Sequence, residues 1–160
     1  MSKLTALDVL GRFEAHLGDL YELFAEVLRD DPEVATMFAQ LALDEYSHAR
    51  QVAYQRRLLD EDPKLFGEID VDEAELYRET AHIKTVRDHA RSMSAAEATA
   101  QAIEFETSAS DYHSRMALRQ ANQEFAGFLS FLGRADDEHR ARLEDLIPLV
   151  MGGRRTPSPV

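Results

Sequence analysis

The chain predicts an all-α protein: an antiparallel four-helix bundle with a helix-containing crossover between its second and third long helices. Three observations carry this. Apolar residues recur at steps of three and four along four long segments, capping signals sit between those segments, and strand-like alternation is nearly absent. The first stripe is Leu7, Leu10, Glu14, Leu17, Tyr21, Phe24 and Leu28, on a helix opened by Thr5 and closed near Asp30. Asp31-Pro32 restarts the chain with aspartate as cap and proline at the first helical position, where its missing N–H costs nothing. Val34, Phe38, Leu41, Glu45, His48, Val52, Gln55 and Leu59 form the second stripe, which the Asp60-Glu61-Asp62-Pro63 break ends. So short a connection makes these two helices an antiparallel hairpin.

Residues 60–93 connect the halves and contain a helix expected over 72–91, with Leu76, Tyr77, Ile83 and Val86 as its apolar content. Ser94-Ala-Ala-Glu97 is a capping box, and the helix it starts carries the stripe Thr99, Ala102, Glu106, Ala109, His113 and Met116. A fourth helix begins near Asn122, with Phe125, Leu129, Leu132, Asp136, His139, Leu143, Leu146 and Val150 as its stripe. Residues 1–151 are expected to form one domain, because 160 residues with 44% hydrophobic content suffice for one well-buried core and not for two. Residues 152–160 read as a flexible tail.

Composition narrows the chemistry. Zero cysteines exclude disulfides, thiolate zinc sites and iron–sulfur clusters within this sequence, so any metal must be held by oxygen and nitrogen. A net charge of −12 argues against nucleic acid and anionic membrane surfaces as partners, since both demand a positive face. The N-terminus lacks the apolar core of a signal peptide and no stretch approaches membrane-spanning length, so a cytoplasmic location is expected.

Two carboxylate-x-x-His signatures stand out, Glu45-x-x-His48 and Asp136-x-x-His139. Each follows a core-facing glutamate, Glu14 by 31 residues and Glu106 by 30. Residues three apart on a helix are separated by about 60° around the axis and about 4.5 Å along it, so both side chains can grip one ion. Sliding the chain by 91 residues lays Leu132, Asp136, His139 and Leu143 over Leu41, Glu45, His48 and Val52, which makes the two hairpins look like repeats. All six polar residues lie in apolar stripes, where a carboxylate is costly to bury unless paired, protonated or bound to a cation. Four carboxylates and two imidazoles suit a pair of metal ions, iron first, with manganese and zinc as alternatives. The competing explanation is a set of buried polar residues satisfied by mutual hydrogen bonds.

Other polar residues receive plainer readings. Glu22, Glu26, Asp44, Glu104, Asp111, Asp137 and Glu138 fall off the stripes and are expected on a solvated surface. Tyr21 and Tyr112 are expected to pack in the core, with hydrogen bonds to the ligand set as a further possibility. His113, one heptad beyond Glu106, is an extra-ligand candidate ranked below the six; His16, His82 and His89 carry no interpretable signal.

These residues resemble the ferritin-like superfamily, and its rubrerythrin-like branch above all. The supporting text is Glu14 with Tyr21 seven residues on, Asp31-Pro32-Glu33, and Phe38-Ala-Gln-Leu-Ala-Leu-Asp-Glu45-Tyr-Ser-His48, and the likeness spans both hairpins. The resemblance implies Glu45 and Asp136 as bridging carboxylates, Glu14 and Glu106 as terminal ones, and His48 and His139 as one nitrogen ligand per metal. Three departures accompany it. Asp136 stands where the family usually has glutamate, Ile103 stands where rubrerythrins proper place an additional glutamate, and the absence of cysteine leaves no fused rubredoxin domain.

The function implied is that of a di-iron oxidoreductase, of ferroxidase or peroxidase type, that reacts with O₂ or peroxide and draws electrons from Fe²⁺ or an external donor. The expected assembly is a homodimer. An iron-storage cage subunit is a second reading, which the crossover helix and the apparent lack of a short fifth helix weaken. A non-enzymatic scaffold, or a cargo protein docking through its tail, is a third.

Overall fold

The computed structural model describes residues 3–152; the tail expected over 152–160 lies outside them except for its first residue. Four long helices, α1 (Lys3–Val27), α2 (Pro32–Glu61), α4 (Ala95–Arg119) and α5 (Gln123–Glu144), form the expected ferritin-like antiparallel bundle, and no strand occurs among the described residues. Helix α3 (Glu73–His89), continued by a 3₁₀ turn at Ala90–Ser92, supplies the crossover. Asp31 caps α2 through Val34 N–H, Ser94 Oγ accepts from Glu97 N–H at 3.1 Å, and Asn122 Oδ1 accepts from Phe125 N–H at 2.9 Å. Each cap satisfies an orphan donor of its helix's first turn, so these three starts fall where the sequence puts them; α1 instead is already helical at Lys3, ahead of Thr5, and ends at Val27.

Packing is closest within each hairpin, α1 on α2 and α4 on α5, while α3 lies against α1. Gly18 shows how tight the first hairpin is: a Cβ there would meet the Tyr46 ring at 2.9 Å, which no real side chain tolerates. The absent side chain leaves room for the Tyr46 ring, whose hydroxyl donates to Asp19 Oδ1 and Glu22 Oε2. Between the hairpins the space is filled by side chains, with Tyr21, Phe24, Phe38, Phe105, Phe125 and Leu41 all fully buried. The crossover is pinned by Tyr112, whose hydroxyl donates to the Asp72 carbonyl at 3.0 Å, and by Gln120, which accepts from Asp70 N–H at 3.0 Å. Tyr112 therefore anchors α3 instead of facing the six-residue cluster.

The last helix departs from expectation. Its stripe reads on to Val150, but α5 ends at Glu144 and a separate short α6 (Ile147–Met151) follows. Pro148 is the cause, because it has no N–H to give the carbonyl four residues back and its ring would strike that carbonyl. The apparent lack of a short fifth bundle helix, which weakened the storage reading, is thus corrected: α6 packs against α4.

Candidate metal centre

Each of the four long helices sends carboxylate or imidazole groups into the bundle centre. Glu14 comes from α1, Glu45 and His48 from α2, Glu106 from α4, and Asp136 and His139 from α5. All six are buried; even the most exposed, His48, shows only 6% of its surface. Their donor atoms fall into two overlapping groups, Glu14, Glu45 and His48 in one and Glu45, Glu106, Asp136 and His139 in the other, with every donor of a group within 4.8 Å of the rest. Glu45 belongs to both. Asp136 belongs to one, whereas the resemblance implied a second bridge there; its side chain is one methylene shorter than glutamate, and its Oδ2 is held by His113 Nδ1 at 2.6 Å.

The surroundings are as polar as the walls are dry. His139 Nδ1 lies 3.0 Å from Glu45 Oε1 and 3.4 Å from Glu106 Oε1, and His48 Nδ1 lies 3.3 Å from Glu45 Oε2. The two imidazoles stack, with ring centroids 5.6 Å apart and planes 23° from parallel, and Phe131 closes the outer edge of His48. Tyr21 donates its hydroxyl to Glu106 Oε1 at 2.8 Å, so this core tyrosine does reach a cluster carboxylate. Both oxygens of Glu14, Oε2 of Glu106 and Oδ1 of Asp136 are buried with no hydrogen-bond partner among the described residues. A native core rarely leaves so many acceptors uncompensated, and mutual hydrogen bonding alone does not account for them.

Charge states follow from burial and crowding. Burial, then the neighbouring Glu106 and Glu14, push the Glu45 carboxyl well above the usual range. Burial also raises Asp136, to about 8, against the pull of His113. Glu14 goes the other way: burial would raise it, but His113 and His48 together hold it at about 2. Burial depresses His48, while in His139 burial is outweighed by Glu106, Asp136 and Asp44, which raise it. Tyr21 is pushed up by burial and by Glu106.

Two residues that the stripes undervalue belong to this centre. His113 is fully buried, with Nδ1 on Asp136 and Nε2 3.2 Å from Glu14 Oε1; Asp136 and Glu14 lift it to about 10 despite burial. Its heptad spacing from Glu106 was the available signal. Asp44, expected to be simply solvated, instead has Oδ2 3.2 Å from His139 Nε2 and accepts from Arg142 at 3.1 Å. No local pattern announces that contact, since Asp44 and His139 are 95 residues apart.

The donor set fits a pair of hard or borderline cations: carboxylate oxygens in excess, one imidazole in each group and one carboxylate shared. No described helix is long and apolar enough to cross a membrane. Searches of curated proteins and of solved structures return no match. A family model described as Rubrerythrin matches residues 12–147, a span that includes all six cluster residues and all of both hairpins except the first turns of α1. On that match, with the bundle and its buried carboxylate–histidine centre, the chain belongs to the rubrerythrin family, whose di-metal character the two overlapping clusters support.

Proposed function

We propose that this protein is a di-iron oxidoreductase that reacts with O₂ or peroxide, with Glu14, Glu45, His48, Glu106, Asp136 and His139 as metal ligands. The observation that carries the reading is the set of buried, unpartnered carboxylate oxygens arranged around a shared Glu45. A purely structural scaffold would leave these acceptors uncompensated, at a cost of several kcal/mol for each buried charge.

Iron held there supplies one-electron chemistry toward oxygen species, and the protein's part is to shape and dry the place where it occurs. Glu45, common to both groups, would be the carboxylate the two positions share. Tyr21 steadies Glu106 from the α1 side. Phe131 sits against His48, and His48 stacks on His139, so the two buried imidazoles are held in place where α2 meets α5. With no cysteine in the chain, electrons come from Fe²⁺ itself or from a separate donor.

Anaerobic loading with Fe²⁺ followed by O₂ or peroxide tests this. The expected result is two Fe²⁺ bound per chain and their oxidation much faster than in protein-free buffer. A protein that binds no iron, or that oxidises it no faster than buffer does, defeats the reading.

A further inference from the structure

Where α3 lies against α1, the surface of this acidic chain turns basic. Residues two apart on a helix point about 200° from one another, so Arg12 and His16 face outward from α1 while Glu14 faces the centre. The end of α3 and its 3₁₀ extension bring Lys84, Arg87 and Arg91 alongside, and with Asp88 and Leu23 these line a cleft of about 570 Å³. Burial first, then the charges of Lys84, Arg87 and Arg12, push His16 down against the pull of Asp19, so the three cations share one local field.

These charges go largely unanswered, although the sequence has 30 acidic side chains against 18 lysines and arginines. The carboxylates of α1 are taken elsewhere: Asp8 accepts from Arg56 of α2, Asp19 and Glu22 accept from the Tyr46 hydroxyl, and Glu26 lies 3.5 Å from Arg91. Arg12, Lys84 and Arg87 form no ion pair among the described residues, and of the cleft's lining only Asp88 opposes them. A basic end on α3 complements its helix dipole, but that accounts for nothing on α1. A two-fold pairing of copies would set this face against itself, and the tail brings Arg154 and Arg155, of the same sign. A nucleic acid or an anionic membrane would extend past the patch onto a surface that is acidic overall, whereas a compact acidic protein meets the patch alone.

We propose that the α1–α3 face docks an acidic protein that carries single electrons, with Arg12, Lys84 and Arg87 as the contact charges. This rests on the di-iron oxidoreductase reading and names the class of its electron donor. Glu14 and this face share α1, so the thickness of one helix, about 10 Å, lies between a docked carrier and the centre. Two reduced carriers docking in turn each give up one electron, and the two electrons return two ferric ions to the ferrous state. With no cysteine to hold an iron–sulfur relay in this chain, a carrier's electrons cross directly at the surface where it docks.

Flavodoxin and a plant-type ferredoxin, both acidic one-electron carriers, serve as probes. In calorimetric titration of the full chain without metal at low salt, at least one of them is expected to bind, and to be released as NaCl is raised. The K84E/R87E variant, checked for native helicity, should bind it at least about tenfold more weakly. R50E/R134E makes the same change in net charge on exposed arginines of α2 and α5, and it should bind as the wild type does. No binding of either carrier, or an equal loss in both variants, overturns the proposal. The iron-loaded, oxidised chain gives a second reading: stopped-flow reduction by the reduced carrier should be at least about tenfold slower in K84E/R87E and unchanged in R50E/R134E. Equal rates in all three proteins overturn the docking proposal and leave the di-iron reading standing, while a chain that takes up no iron overturns both.

Discussion

His139 turns its two ring nitrogens in opposite directions: Nδ1 faces Glu45 Oε1 at 3.0 Å inside the bundle, and Nε2 faces Asp44 Oδ2 at 3.2 Å on the outside. Asp44 is itself gripped by Arg142 at 3.1 Å, whose other nitrogen reaches Gln40. The link joins α2 of one hairpin to α5 of the other at the level of the centre. A carboxylate on the far nitrogen of a ligating imidazole selects its tautomer and raises its basicity.

From this relationship, D44N should weaken metal binding by about tenfold, while leaving the metal-free fold intact because Asp44 is half exposed. Isothermal titration with Zn²⁺ or anaerobic Fe²⁺ measures the loss, and E138Q on an exposed turn of the same seam serves as the control. Equal affinities in D44N and wild type would show that Asp44 only decorates the surface.

Tyr21 leads to a prediction about the metal-free protein. Its hydroxyl donates to Glu106 Oε1, and Glu106 Oε2 has no other partner, so Y21F strips a buried carboxylate of its neutral donor. Leaving a buried acceptor unsatisfied costs about 1–3 kcal/mol, and denaturant unfolding of Y21F in chelator should show a loss of that size. With metal bound the loss should shrink, because the cation then compensates the same oxygen. A Y21F penalty that is identical with and without metal would mean that the ring's packing, not its hydroxyl, matters.

Most of the fold was legible in the sequence because it rests on local rules. The Asp31-Pro32 and Ser94–Glu97 signals act within one turn, and the stripes of three and four report helix faces directly. The six cluster residues were legible for a related reason: a glutamate such as Glu45 inside an apolar stripe contradicts its surroundings and so announces itself. Asp44 gave no such contradiction, being one residue off the stripe and acceptably solvated, and only the crossing of α2 over α5 brings it to His139. The end of α5 was misjudged because Leu146 and Val150 continue the stripe in phase while Pro148 forbids the backbone that would carry it.

Glu45 is the one residue common to both clusters, so its removal should act on both positions. E45A is expected to lose at least one metal per chain, measured by metal analysis after anaerobic loading and desalting. In chelator the same variant should be about as stable as wild type or better: burial and the neighbouring Glu106 and Glu14 penalise the ionised form of the deleted carboxyl, and losing that penalty offsets the cavity it leaves. Denaturation midpoints that fall sharply in chelator, with metal content unchanged, would reverse this picture.

Metal loading should become tighter as pH rises, because protons have to leave before cations can enter. Burial and neighbouring carboxylates raise Glu45 well above its usual range, which favours its protonated form, and raise Asp136 to about 8, so Asp136 carries a proton at neutral pH. His113, at about 10, is protonated as well. Glu14, held at about 2, is already ionised and contributes nothing to the release. A group whose proton is displaced strengthens binding with pH up to its own pKa, so affinity should climb from pH 6 toward pH 8 instead of reaching a plateau. Calorimetry in two buffers of different ionisation enthalpy counts the protons directly: at least one should be released per chain on full loading at pH 7, and fewer in E45A. Heats that do not depend on the buffer would mean that the centre is already deprotonated and that the crowding of its carboxylates is relieved in some other way.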